Sequence, residues 1–537
     1  MPLYIEPIPE RWPVGKLLAW LLEGGTVKKQ QVGAIDFRGR RAVVEVPETV
    51  GSRLARELEE KPVKGRAVQV WYGSEETDGD IDGHLQRLDR WLDLEARAAS
   101  EQFKERTDDA SAGLSNLIIR EEDTGLGGYT LLALGLKNPM QPLPVVQLNV
   151  GSPVQLASEQ DRRRGVVTRL DSHVIEVALS KPFPGQDDKP VLRLTPADDE
   201  IGMQRAKTAL ARARYARDDR TADIRDTLMG RREPRFESVS DLEFFRSDLN
   251  DSQRDAIGFA LSARDLAVIH GPPGTGKTTT LVELIRQAIR RGEKVLACAP
   301  SNLGVDNLFE RLLAGGEKAI RLGHPVRVLP HLRDRTLKAM VREHAAIKQA
   351  RKLRREANDL FRKADRSARA DVDRDGLRTE ARELLADARG CEADAIQETI
   401  DDANVVCATN TGIDADLLGH RRFDLLVIDE ACQTTEPACW IPILRANRVI
   451  LAGDHCQLPP TILSQAAARE GFSVSLQERL VESYGETISR PLLVQHRMHE
   501  DIMMFSSNEF YQNRLEAHPT VAGHRLCDLS GVEEEEL

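Results

Sequence analysis

The sequence predicts an α/β chain built from several units, on three observations. A short apolar run, Leu266 to His270, leads into Gly271-Pro272-Pro273-Gly274-Thr275-Gly276-Lys277-Thr278, and Thr279 to Arg290 then repeats apolar residues at helical spacing. That strand, glycine loop and helix follow the phosphate-binding pattern G-x-x-x-x-G-K-[ST]. Two more apolar runs, Leu425 to Ile428 and Arg448 to Ala452, have the length of buried strands and end in polar residues. The N-terminal signals run β-α-β-β-α-β. A chain of 537 residues holds more than one domain.

Residues 1–73 are the first expected unit. Leu3 to Ile5 reads as a strand, Val14 to Leu22 as a helix, and Val32 to Phe37 and Ala42 to Val46 as alternating strands. Thr49 to Leu58 reads as a second helix and Ala67 to Tyr72 as the last strand. This is the ferredoxin-like split order of RNA-recognition motifs. The stretches Val32 to Phe37, Ala42 to Pro47 and Val63 to Arg66 resemble the RNA-binding domain of the DEAD-box helicase DbpA. Bases would ordinarily stack on aromatics in the third strand, and Arg41 to Val46 has none. Arg38, Arg40, Arg41, Lys64 and Arg66 are then the expected contacts to structured RNA. A protein-docking or purely structural role stays open.

Residues 74–112 are expected as a linker, Glu75 to Gly83, followed by a charged amphipathic helix from Leu85 to Lys104. Between 113 and 197, strand-like runs punctuated by glycine and proline suggest a small barrel. Residues 198–335 carry a helix, Gln204 to Ala216, and then the phosphate loop. The Ala-, Arg- and Glu-rich stretch 336–400 fits two antiparallel helices, the first about 50 Å long at a rise of roughly 1.5 Å per residue. Its charges read as a solvated face or a nucleic-acid contact. Residues 401–490 resume the α/β pattern, and 491–537 open a further unit.

Composition excludes several classes. The net charge of -11 gives no global basic field, although a local groove can still hold nucleic acid. The seven cysteines form no C-x-x-C pair, so reduced thiols are expected and no zinc site is. No apolar run can span a membrane, and the N-terminus has no secretory pattern. The cytoplasm is the expected compartment, with no membrane partner.

The motifs specify a chemistry. Lys277 places a charge for β- and γ-phosphates, and Thr278 a hydroxyl for Mg²⁺. Asp429, at the end of a strand, can reach the same ion, and Glu430 beside it can take a proton from attacking water. The alternative for both is a pair of surface carboxylates. Gln457, in the loop after Ala452, can read the γ-phosphate or simply hold its loop. Gln253 can meet an adenine edge, which would favour ATP over GTP, and helix capping by Asn250 or Asp251 is compatible with that. Gly271 to Thr278, with Thr279, form the expected cofactor-binding run.

Further stretches extend the series: Cys298 to Leu308, Arg321 to Pro325, Ala408 to Gly412, Ile428 to Gln433, Leu451 to Pro460 and Val494 to His499. With Ile269-His270 and the phosphate loop, an AAA-type P-loop domain, they resemble the superfamily 1 helicases. The group is the one containing the nonsense-mediated-decay helicase and immunoglobulin mu-binding protein 2, and the latter is the nearer. The resemblance implies a RecA-like lobe with β-barrel and helical insertions, and ATP-driven 5′-to-3′ movement on single-stranded DNA or RNA. It implies that Ser301, Asn302, Thr409 and Asn410 touch the nucleic-acid backbone, although capping the next helix is ordinary chemistry for such residues. It implies that Arg497 reaches the γ-phosphate from a second lobe, and that His496 stands where a tyrosine holds adenine. No later helicase motif follows, so most of the second RecA lobe is expected to be absent from this chain, whether as a fragment or as a naturally short protein. Two other readings stand beside the helicase: a nucleotide- and RNA-binding module without motor activity, and a P-loop ATPase acting on protein partners.

Overall fold

The computed structural model describes residues 2–6, 12–22, 27–38, 41–47, 50–51, 54, 58, 69–72, 75–108, 113–124, 130–146, 148–158, 161–179, 191–197, 200–239, 242–366, 374–525 and 528. The chain divides into two compact units, residues 1–89 with 210–219, and residues 90–209 with 220–537.

The first unit contains β1 (Pro2–Glu6), β2 (Ile35–Arg38), β3 (Arg41–Glu45) and β4 (Gln69–Tyr72) in the order β2-β3-β1-β4, antiparallel throughout. That is the split order the sequence implied. Alternation turns Leu3, Ile5, Ala42, Val44 and Val70 to one face, where Leu17, Trp20 and Leu21 of the helix Val14–Leu22 cover them. Residues 50, 51, 54 and 58 of the second expected helix are helical, and Leu54 and Leu58 join the same core at i,i+4 spacing. Arg41 opens β3, while Arg40, Lys64 and Arg66 lie outside the described residues. Glu75 to Gly83, expected as a linker, is helical: one helix runs Glu75–Asp108. Glycines at 79 and 83 argue locally against a helix, but Ile81, Leu85 and Leu88 are buried at helical spacing, and that burial prevails.

In the second unit, residues 114–196 close the expected barrel. Its strands are β5 (Leu114–Thr124), β6 (Thr130–Leu136), β7 (Pro153–Ala157), β8 (Arg162–Leu170), β9 (Ile175–Leu179) and β10 (Leu192–Pro196), in the order β10-β5-β6-β9-β8-β7. Closure removes every edge, and Leu117, Leu134, Leu156, Val167, Val177 and Leu194 fill the interior. Gly165 on β8 allows this, since a Cβ there would fall 2.6 Å from Val177 and 2.7 Å from the Ala178 carbonyl.

The centre of this unit is a seven-stranded sheet of β11 (Leu266–His270), β12 (Val295–Ala299), β13 (Ala319–Arg321), β14 (Val405–Thr409), β15 (Leu425–Ile428), β16 (Val449–Gly453) and β17 (Ser489–Pro491). The order is β13-β14-β12-β15-β16-β11-β17, and every pairing is parallel. Burial on both faces explains why these strands read as continuous apolar runs rather than alternations. Parallel strands put all their carboxyl ends on one edge, and the loops after β11, β12, β14, β15 and β16 carry the candidate residues. β16 stands between β11 and β15.

The helical insertion differs from expectation in its first arm. His344 takes extended backbone angles (φ −66°, ψ 143°) and splits that arm into Leu337–Glu343 and Ala345–Arg366. The second piece has 22 residues and spans about 33 Å. It packs against Arg374–Asp402 along a seam of alanines seven residues apart, Ala350, Ala357 and Ala364 facing Ala381, Ala388 and Ala395, all buried. After β17 come β18 (Val494–Gln495) and β19 (Glu516–Ala517), paired in parallel, with the helix Glu500–Phe510 between them in sequence. No helix among the described residues is long and apolar enough to cross a membrane.

Candidate nucleotide site and nucleic-acid cleft

The loop after β11 is shaped by its glycines. Gly274 and Gly276 both hold φ of +78°, where side chains are strained. A Cβ at Gly276 would also meet Gln253 at 2.7 Å, and one at Gly274 would meet the Arg497 Cβ at 2.6 Å. Thr275 is buried, and its hydroxyl donates to the Pro272 carbonyl at 2.7 Å. The helix Lys277–Arg290 begins at once, so the N–H groups of its first turn lack intrahelical acceptors and favour an anion.

Lys277 is the electrostatic centre. Its ammonium lies 3.2 Å from Asp429 Oδ1 and 2.6 Å from Glu430 Oε1. Burial alone would depress its pKa, but the two carboxylates outweigh burial and hold it above the ordinary lysine value. Asp429 is buried at the end of β15, and its Oδ1 accepts the Glu430 N–H at 2.9 Å. Glu430 adopts a left-handed conformation (φ 53°, ψ 40°), costly for a residue with a Cβ and typical of functional turns. Gln433 donates to its Oε2 at 3.1 Å. Thr278 follows Lys277 in the first turn and is half-buried. The Thr279 hydroxyl is engaged differently, accepting from Arg311 at 3.1 Å.

Gln253 is buried with both ends of its amide engaged. Nε2 donates to the Thr275 carbonyl at 3.0 Å, and Oε1 accepts the Asn250 N–H at 3.1 Å in a capping box. These bonds brace the phosphate loop and close the capping box of the helix Asp251–Ser262, whose N-cap is Asn250. Gln457 is exposed and donates to Asp454 Oδ2 at 2.7 Å. Asp454 escaped the sequence reading, yet four groups converge on it: His270 Nε2 at 2.9 Å, Gln457, the Tyr511 hydroxyl at 2.7 Å and the Cys456 N–H at 3.1 Å. Burial would raise its carboxyl, but hydrogen bonds from His270, Gln457 and Tyr511 bring it below the usual aspartate range. No local pattern signals this, because two of its four partners come from elsewhere: His270 from β11 and Tyr511 from just past the helix Glu500–Phe510.

Residues 495–498 sit against the phosphate loop. The His496 N–H donates to the Gly274 carbonyl at 2.9 Å. Gln495, fully buried, shapes this turn by accepting from the N–H groups of Arg497 and Met498, both at 2.7 Å. The side chains of His496 and Arg497 are exposed, and the His496 ring stacks on His518 with centroids 4.2 Å apart. The Arg497 backbone and Cβ thus lie beside Gly274.

The four candidate nucleic-acid residues separate. Asn302 and Thr409 line one cleft of about 910 Å³ between the barrel and the sheet edge, with Arg164, Arg205, His324 and Arg327. Asn302 Oδ1 accepts from Arg321 at 2.9 Å, and Arg321 is itself buried against Asp306 at 2.9 Å. Ser301 caps the helix Asn302–Ala314 by accepting from Gly304. Asn410 is buried and donates to Thr434 at 3.3 Å. Arg164, Arg205 and Arg327 carried no signal in the sequence, since only closure of the barrel beside the sheet gathers them.

A phosphate loop whose lysine is bracketed by a strand-end acid pair, with one parallel strand between them, defines a P-loop ATPase-type lobe. Comparison with known proteins narrows the class. Models described as AAA domains match residues 248–465 and 472–536, and a DbpA RNA binding domain model matches 12–71. The DNA-binding protein SMUBP-2 of Mus musculus is 37% identical over 467 residues, 84% of this chain and 47% of its own length. DNA polymerase alpha-associated DNA helicase A of Schizosaccharomyces pombe is 34% identical over 448 residues, 79% of this chain and 66% of its own. The uncharacterized ATP-dependent helicase MJ0104 of Methanocaldococcus jannaschii is 31% identical over 517 residues, 88% of this chain and 76% of its own. The chain belongs to the superfamily 1 helicases, in the group of the nonsense-mediated-decay helicase and immunoglobulin mu-binding protein 2. It spans about half the length of the mammalian SMUBP-2 relatives it matches.

Proposed function

We propose that this chain binds ATP with Mg²⁺, hydrolyses it under nucleic-acid stimulation, and forms part of a 5′-to-3′ helicase on single-stranded DNA or RNA. The observation that carries the proposal is the bracket of Lys277 by Asp429 and Glu430 at the mouth of the glycine loop. A triphosphate in the loop competes with the two carboxylates for the ammonium. As Lys277 turns to the phosphates, both acids are released. Thr278 and Asp429 offer the hard oxygen donors that Mg²⁺ prefers, and the ion would neutralise charge on the phosphate chain. Glu430, no longer paired with Lys277, takes the proton of the attacking water. Arg497 offsets charge on the γ-phosphate, Gln457 senses it through the Asp454 network, and the exposed His496 ring offers a face to adenine.

Asn302 and Thr409 are the proposed backbone contacts in the cleft, with Arg164, Arg205 and Arg327 around them. Ser301 and Asn410 support them by capping and packing. Residues 1–73 add affinity for structured RNA, a role supported by the DbpA-domain match and by Arg40 and Arg41 in the sequence. DNA is supported by the names of the SMUBP-2 and helicase A relatives. Cytoplasmic residence belongs to the same proposal, supported by free thiols at all six described cysteines. Lys277→Ala should abolish binding of a fluorescent ATP analogue while leaving the circular dichroism spectrum unchanged. Equal affinity in the two proteins would overturn the site. Hydrolysis indifferent to DNA and RNA would favour an ATPase acting on protein partners instead.

A further inference from the structure

Three side chains from two segments meet behind the phosphate loop. His270 ends β11, immediately before Gly271, while His455 and Cys456 lie in the turn after β16. One ligand atom from each lies within 4.8 Å of the other two. The two imidazoles are 4.5 Å apart at their centroids. His270 Nε2 is engaged by the Asp454 carboxylate at 2.9 Å, a bond that coordination through Nδ1 would keep. Nδ1 of His455 is buried and has no hydrogen-bond partner among the described residues. A buried ring nitrogen without a partner is costly, and here its ring lies beside a second imidazole and belongs to a cluster with a thiol.

We propose that His270, His455 and Cys456 form a binding site for a thiophilic divalent ion of the zinc class, separate from the Mg²⁺ position at Thr278 and Asp429. Two imidazoles and a thiolate are the donors such ions select over Mg²⁺, and three protein ligands leave a fourth position open. Asp454 completes the arrangement as the carboxylate that orients a ligating histidine. The proton of Cys456 leaves to solvent when the ion binds, so affinity rises with pH. The sequence offered no hint of this, since no zinc-type spacing links position 270 to 455 and 456. Adjacency of β11 and β16 in the sheet creates the cluster. An ion here would tie the strand entering the phosphate loop to the turn that carries Gln457.

Co²⁺ is the probe, added to the full chain under reducing conditions. The expected result is a near-ultraviolet sulfur-to-cobalt charge-transfer band with visible bands of tetrahedral strength, displaced by stoichiometric Zn²⁺ and unaffected by excess Mg²⁺. Cys456→Ser should remove the charge-transfer band, and His455→Ala should weaken Co²⁺ binding at least tenfold. Cys391→Ser should change neither. Zn²⁺ should raise the melting temperature of the wild type and not of Cys456→Ser, which also reports that the variant is folded. Loss of the cobalt spectrum in excess Mg²⁺, or an unchanged spectrum in Cys456→Ser, would overturn the site. None of these readouts depends on ATP turnover, so failure here and failure of the ATPase reading are distinguishable.

Discussion

At the scale of single residues, the region rests on a few buried charges that take some of their partners from distant parts of the chain. Asp454 is the clearest, a buried carboxylate accepting from four donors. Its folded pKa lies below its unfolded value, so its contribution to stability is complete above the unfolded value and is lost as pH falls through the folded one. Asp454→Asn should therefore cost on the order of 2–3 kcal/mol near neutral pH and much less in acid. Denaturant titration at several pH values reads this, and a loss independent of pH would refute it. The phosphate loop and acid pair were legible in the sequence because each is a contiguous motif whose chemistry sets its spacing. Asp454, His270, Tyr511 and the bracing role of Gln253 were not, because each is defined by a contact made across the fold.

At the scale of elements, strand runs in the sheet and barrel could be read from burial patterns, and the β-α-β-β-α-β order from alternation. The helical insertion was legible as helices but not as a particular packing. Its alanines repeat every seven residues within a highly charged stretch, so a search for large apolar stripes passes over them. The fully buried positions of the contact are alanines, with Leu353, Leu360 and Leu384 half-buried between them, so a larger side chain at an alanine position overpacks it. Ala388→Leu should overpack the contact and destabilise the hairpin by about 1–3 kcal/mol. Hydrogen exchange should show faster amide exchange confined to residues 345–366 and 374–402, with affinity for an ATP analogue unchanged. Uniform destabilisation of the sheet would contradict the local packing. The break at His344 was also unreadable, since histidine within a helical pattern signals nothing by itself.

At the scale of the whole molecule, an overall charge of -11 coexists with a cleft lined by Arg164, Arg205 and Arg327. If about four phosphates are neutralised there, the log–log salt slope for single strands is roughly −2.8, so fourfold more salt weakens binding on the order of fifty-fold. A flat response, or strong preference for one sequence, would count against backbone recognition. The first unit carries a closed core of its own, from Leu3 to Val70. Residues 1–73 should fold alone, and NMR titration with structured RNA should shift amides near Arg38 and Arg41. A folded domain with no shifts there would leave only a docking or structural role.

The alanine seam has a mechanical consequence. Two rods fastened along their length resist bending far better than the same rods side by side and unattached. The hairpin is in that sense a cantilever, and its root is short: Asp402 ends the second rod and Val405 already belongs to β14. A load on the paired helices arrives at the root as torque rather than being absorbed along the arm. β14 is clamped between β12 and β13, and its far end is Thr409, on the wall of the cleft. A force on the paired helices therefore reaches the wall of that cleft through β14.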